Sequence, residues 1–214
     1  MGNFTLIQNI VIWALPVLFA ITVHEVAHGW TALKFGDRTA QMMGRLTLNP
    51  IKHIDPIGTL LVPGMLLAAG GFIFGWAKPV PVTWQNLNNP KKDMIWVALA
   101  GPLANLLMAI IWALIAKIGL VMGGSMQALF YMGVAGIQIN AVLMLLNLLP
   151  LPPLDGGRIL VGLLPGPLAW RVNQVEPYGF FILVGLIYFG IISMILSPLM
   201  RGFMSILFAL FGLN

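Results

Sequence analysis

Apolar residues run almost unbroken through several stretches of this chain, and the polar residues gather between them. Each stretch is close to the roughly 20 residues that a membrane-crossing helix needs. The first covers 4–35, carries Pro16 inside it, and predicts one long helix. A polar stretch follows at 36–55. Its Gly44-Arg45-Leu46-Thr47-Leu48-Asn49-Pro50 segment alternates polar and apolar side chains, which predicts a short strand or hairpin. Residues 57–76 are apolar but interrupted by glycine and proline, so they are expected either to span or to re-enter. In 78–92, Pro79 and Pro81 favour an extended backbone. Two clean spans come next, 94–120 and 126–149. The second ends in Pro150-Leu151-Pro152-Pro153-Leu154-Asp155-Gly156-Gly157-Arg158, where proline breaks the helix. A short apolar piece at 159–170, a loop with Arg171 and Glu176, and a last strong span at 178–196 complete the pattern. The tail, 199–214, is expected to lie along the membrane or dip into it. The fold class expected is an all-α polytopic membrane protein with about five to six transmembrane or re-entrant helices, forming a single membrane-embedded domain over 1–214.

Composition sharpens this reading. The chain is 59% hydrophobic and only 8% charged, against about 25% charged in a soluble domain, and its mean hydropathy is +0.95. It cannot cover itself with charge. Its longest polar stretch, about 15–20 residues, is well short of the ~50 of a small domain. The net charge of +5 comes without a basic, aromatic-interleaved patch, so no nucleic acid partner is expected. Nine of the eleven Lys and Arg residues fall in 34–53, 76–92 and 158–176, whereas Lys117 lies at the opposite hairpin. The positive-inside rule then places those three loops in the cytoplasm and the N-terminus outside, in a multi-pass protein of the cell membrane. With 34–53 and 76–92 on one side, 57–76 should re-enter or pair with a returning extended segment, as irregular backbone can where protein or a water cavity surrounds it. The absence of cysteine excludes thiolate ligands and disulfides. The N-terminus has no basic region before its apolar run, which does not match a cleavable signal peptide.

The candidate chemistry sits inside the first apolar run. Between positions 10 and 30 the only ionisable side chains are His24, Glu25 and His28, and intramembrane ionisable groups usually mark function. Four residues apart on a helix, the two histidines share a face. In this HExxH spacing they bind zinc and the glutamate acts as general base. A catalytic zinc normally has three protein ligands and one open position. His53 is the remaining histidine, and Asp37, Asp55, Asp93, Asp155 and Glu176 are the remaining carboxylate candidates. Asp155 is the best placed. It follows the proline-broken end of an apolar span, on the same side as the C-terminal part of the first span, and Gly156 and Gly157 permit close backbone approach. Read alone, Asp155 before glycine is a turn residue, and Asn147 a helix-to-helix amide.

Three segments in order, HEVAHGW (24–30), AGPLANLL (100–107) and NLLPLPPLDGGR (147–158), resemble the site-2 protease family of intramembrane metalloproteases, over roughly 10–164. The resemblance implies His24, His28 and Asp155 as zinc ligands and Glu25 as the catalytic base. It implies Asn147 as a catalytic group that holds the substrate carbonyl or stabilises the oxyanion, and Asn105 as a supporting polar group near the site, with a part in substrate binding. It also implies that 36–55 is a small membrane-associated β-hairpin that presents substrate as an added strand. The expected activity is zinc-dependent cleavage of a peptide bond within a membrane-spanning segment of a substrate protein, in regulated intramembrane proteolysis. The partners expected are that substrate and the lipid bilayer. There is no room for the PDZ or CBS domain of many relatives, and the oligomeric state stays open. The rival reading is a transporter or metal-handling protein that uses the same polar residues as an ion path.

Overall fold

The computed structural model describes residues 4–61, 65, 75 and 77–213. Helix α1 (Leu6–Lys34) starts with a capping box. The Thr5 hydroxyl accepts from the Gln8 N–H, and the Gln8 side chain accepts from the Thr5 N–H. Past Lys34 the chain turns at Gly36, whose φ of 106° suits glycine. Short helix α2 (Thr39–Met42) leads to a 3-10 turn, Pro50–His53, and a π-helical turn, Pro56–Leu61. A second 3-10 turn, Trp84–Asn86, precedes α3 (Pro90–Met122) and α4 (Gln127–Asn147). Then come α5 (Asp155–Leu163), α6 (Gly166–Asn173), α7 (Glu176–Tyr188) and α8 (Ile191–Phe211).

Among the described residues, the four helices long and apolar enough to cross a membrane are α1, α3, α4 and α8. The shorter α7 is apolar as well. The last strong span expected at 178–196 is corrected. It breaks at Gly190, whose φ of 74° is left-handed, and the tail, expected to lie along the membrane or dip into it, forms most of α8. The 57–76 segment, apart from its first turn and residues 65 and 75, lies outside the described residues.

The expected β-hairpin is also corrected, since no strand occurs among the described residues. Alternating side chains at 44–50 do not build a ladder because the local groups find other partners. The Arg45 N–H donates to Ala40 O. The Thr47 carbonyl lies 2.9 Å from the His53 ring, and the Thr47 hydroxyl accepts from the Asn49 N–H.

Helices α3 and α4 pack closely along small residues. A Cβ on Gly133 would lie 2.5 Å from Ala116 N, and one on Gly119 would lie 2.4 Å from Phe130 N. Gly136 is equally tight against the Trp112 ring. Small residues at a helix seam let backbones approach where lipid offers no hydrophobic drive. Trp112, Ala113, Ala116 and Ile137 form the buried centre, closed on one side by Leu207 of α8. Helix α1 lies against both α3 and α4, and α5 against α3. Those contacts set where the chemistry sits.

Candidate metal centre

Helix α1 turns His24 and His28 inward, at 7% and 9% exposure, and brings their Nε2 atoms to 3.0 Å. Asp155, the first residue of α5, reaches the same point from a different part of the chain. Its Oδ2 is 3.3 Å from each Nε2. The turn between α4 and α5 makes that possible. A Cβ on Gly156 would lie 2.3 Å from Leu149 O, and one on Gly157 would lie 2.3 Å from Pro152 N. With no side chains there, α5 lies flat on the proline-rich turn and aims its first residue at α1.

The outer nitrogens decide which way the imidazoles face. His28 Nδ1 is 2.7 Å from Val97 O, an acceptor, so this nitrogen carries the proton and donates. His24 Nδ1 is 2.6 Å from Asn105 Oδ1 and donates likewise. In the neutral rings both Nε2 atoms then present lone pairs toward each other and toward a carboxylate oxygen. No hydrogen-bond partner satisfies Asp155 Oδ2. Three such atoms, buried and within 3.3 Å of one another, form a group that could hold a metal ion. The spacing suits zinc, because ligands at ~2.0–2.1 Å in tetrahedral arrangement are about 3.3 Å apart. Gly101 of α3 leaves the room. A Cβ there would stand 2.4 Å from His28 Nε2 and 2.6 Å from His24 Nε2.

Glu25 is half-buried, and its Oε2 accepts the Val80 N–H at 2.6 Å. Residues 77–83 thus lie across α1 beside the centre. Gly29 admits them, since a Cβ there would lie 2.6 Å from Val80 Cγ1. The segment is held at both ends. Arg45 donates to Lys78 O at 2.9 Å, and the Lys78 N–H to His53 O at 2.9 Å. Farther on, Asp37 accepts from the Thr83 N–H at 2.7 Å and from the Asn86 amide at 3.1 Å.

The other carboxylate candidates are engaged elsewhere. Asp37 ties that loop, Asp55 caps the turn at Ile57 and Gly58, and Asp93 accepts from Asn89 N–H. Glu176 lies 4.0 Å from Arg158. His53 is buried against Thr47 O. Among the described residues, His24, His28 and Asp155 are the group whose ligand atoms converge. Asn147 is half-buried and donates to Leu143 O, one turn back in α4. Asn105 stands behind His24. It is fully buried, with its NH2 donating to Ala20 O at 3.2 Å and Asn140 Oδ1 at 2.9 Å. Asn105 therefore stands near the site as a polar group supporting a histidine. Sequence reasoning passed over Gly101, Val80 and Asn140. Only Asn140 left a signal, as an amide within an apolar span, alongside Gln138 and Asn147.

Comparison with known proteins agrees with this chemistry. Residues 12–123 match the model of peptidase family M50. The chain is 42% identical to "Putative zinc metalloprotease YwhC" of Bacillus subtilis, over 87% of this chain and 84% of that protein. It is 33% identical to "Putative zinc metalloprotease Rip2" of Mycolicibacterium smegmatis, over 79% of this chain and 64% of that one. A shorter match, 33% identical over 40% of this chain and 41% of its counterpart, is to "Putative zinc metalloprotease MJ0611" of Methanocaldococcus jannaschii. No solved structure matches.

Proposed function

The chain belongs to peptidase family M50 and is a membrane-embedded zinc-dependent protease, and from that premise we propose that it cuts a peptide bond within a membrane-spanning segment of a substrate protein. The observation that carries this reading is the position of the chemistry. His24, Glu25 and His28 lie within a helix apolar and long enough to cross a bilayer. A soluble polypeptide has no reason to approach a site at that depth, whereas a substrate already in lipid does.

In this reading His24, His28 and Asp155 hold the zinc. When bound, the ion supplies Lewis acidity, lowering the pKa of a water to about 7 and polarising a carbonyl. Glu25 takes the proton from the attacking water and returns it to the leaving amine. In the described structure its carboxylate already accepts one N–H, from Val80, and keeps its second oxygen for a further partner. Asn147, on the last turn of α4 before the loop that delivers Asp155, offers an amide to the charge that develops on the carbonyl oxygen. The burial of His24, His28 and Asp155 keeps bulk water from most of the cluster.

The substrate class that fits is a single membrane-spanning segment, and the setting a cell membrane with the basic loops in the cytoplasm. Cleavage there releases a membrane-tethered protein, which is regulated intramembrane proteolysis. The rival ion path finds little support in the geometry. The polar chain leading away from His24 ends on Gly136 O, through two asparagines with no exposure.

The test is reconstitution in liposomes with a model membrane-spanning substrate. Glu25→Gln should retain zinc at the wild-type ratio and lose cleavage by at least ~10²-fold, and chelation should silence the wild type. Cleavage of a soluble peptide at the same rate as the embedded substrate would overturn the intramembrane reading. Full activity in Glu25→Gln would overturn the role of Glu25.

A further inference from the structure

We propose that Asn140 is a positioning residue for the metal centre: acting through Asn105, it fixes the ring orientation and tautomer of His24. The inference rests on His24 being a zinc ligand, as proposed above.

The two histidines are oriented by different means. His28 Nδ1 donates to Val97 O, a backbone carbonyl that is an acceptor by nature. No side chain is needed to set its tautomer. His24 Nδ1 instead meets an amide, Asn105, at 2.6 Å. An amide has two ends of opposite character. With Oδ1 toward His24, the imidazole keeps its proton on Nδ1 and frees Nε2 for a metal. With the NH2 toward His24, Nδ1 must be the acceptor, the proton moves to Nε2, and the metal-facing lone pair is lost.

Whatever holds Asn105 the right way round therefore decides whether His24 can serve. Two acceptors do so. Its Nδ2 donates to Ala20 O at 3.2 Å and to Asn140 Oδ1 at 2.9 Å. Asn140 is itself oriented by Gly136 O, which accepts from its Nδ2 at 2.9 Å. The donors thus run in one direction, from Asn140 to Gly136, from Asn105 to Asn140, and from His24 to Asn105. Flipping either amide would set oxygen against oxygen at the next link. Both asparagines are completely buried, so no water can repair a flipped link, and an unpaired amide there is costly. The relay also crosses three helices, α1, α3 and α4, so it ties ring orientation to the bundle.

Asn140→Leu removes the acceptor and keeps the branched heavy-atom shape of the side chain. Asn140→Asp, protonated at this depth, keeps both links, since its hydroxyl can donate to Gly136 O and its carbonyl can accept from Asn105. Zinc affinity is measured by competition with a chelator, and the visible spectrum is recorded after cobalt substitution. Asn140→Leu should weaken zinc binding about tenfold, the lower end of the usual range for outer-shell partners, and alter the cobalt bands. Asn140→Asp should restore both. Thermal unfolding of the zinc-free proteins separates this from loss of packing, which would lower the melting temperature and leave the affinity of folded protein unchanged. Asn140→Ala carries the same expectation where Asn140→Leu does not fold. Wild-type zinc affinity in both apolar variants overturns the relay, as does an Asn140→Asp variant as weak as Asn140→Leu. His24→Ala is the control for the underlying reading: if it binds zinc like the wild type, the ligand assignment fails, and the relay with it.

Discussion

At Gly101 the difference between a hydrogen and a methyl group is set against two imidazole nitrogens. The added carbon would stand within 2.6 Å of both Nε2 atoms, and real Cβ contacts are not that short. Both rings are pinned from behind, by Asn105 and by Val97 O, so neither can retreat without breaking its outer hydrogen bond. Gly101→Ala should therefore keep the helical spectrum and hold less zinc, with proteolysis falling by about 100-fold or more, as expected when catalytic groups are displaced by about 1 Å. Metal content per purified protein checks it, and wild-type zinc content would show that the rings yield. The two candidate ligand histidines were legible from spacing alone, because four residues on a helix define one face. Gly101 was not. Its importance lies in what is absent from its side chain, and only the α1–α3 packing reveals what would be struck.

At the scale of an element, the extended segment 77–83 is held over α1 by a node at Asp37. Burial by itself would raise the Asp37 pKa. The hydrogen bonds from the Thr39 hydroxyl, the Thr83 N–H, the Asn86 amide and the Thr39 N–H outweigh it, and the net value lies below the ordinary 3.8. A depressed folded-state pKa means that the node contributes stability above the unfolded value and loses it as pH falls through the folded one. Cleavage within 36–55 or 77–89 by an added protease should accordingly stay flat from pH 7 down to about 5 and rise below about 4. Asp37→Asn should be cut readily already at pH 7, because its NH2 would face donors, at a cost of about 1–3 kcal/mol. Equal protection of mutant and wild type at pH 7 would remove Asp37 from this role. Pro79 and Pro81 announced the extended backbone. The hydrogen bond to Glu25 had no side chain to announce it, since the donor is a main-chain amide. The misread hairpin at 36–55 fails for a related reason. Alternation describes side-chain direction, but strands also need backbone partners, and here side chains and turns took them.

The whole molecule depends on how closely α3 and α4 approach. Gly133→Val would drive a branched side chain into the backbone of Ala116, at 2.5 Å from its nitrogen. Backbone cannot turn aside as a side chain can. The variant should unfold more easily by about 1–3 kcal/mol, seen as a lower melting temperature in detergent. Because α3 carries Asn105 and Gly101 and α4 carries Asn140, its zinc binding should weaken in parallel. An unchanged melting temperature would mean that the seam is looser than it is drawn here.

The chain by itself determined its solvent, its helices and its two histidine ligand candidates, because hydropathy, proline and residue spacing are local properties. It also singled out Asp155, since an ionisable group at the broken end of an apolar span is rare enough to stand out. What only the tertiary structure decided is how those groups face one another. Asp155 closes to 3.3 Å from both imidazoles, Asn105 stands behind His24, and Asn140 accepts from Asn105. Each of these is a contact between helices far apart in the chain. Its geometry is set by how small residues let those helices approach, and no periodicity within a single helix encodes that distance.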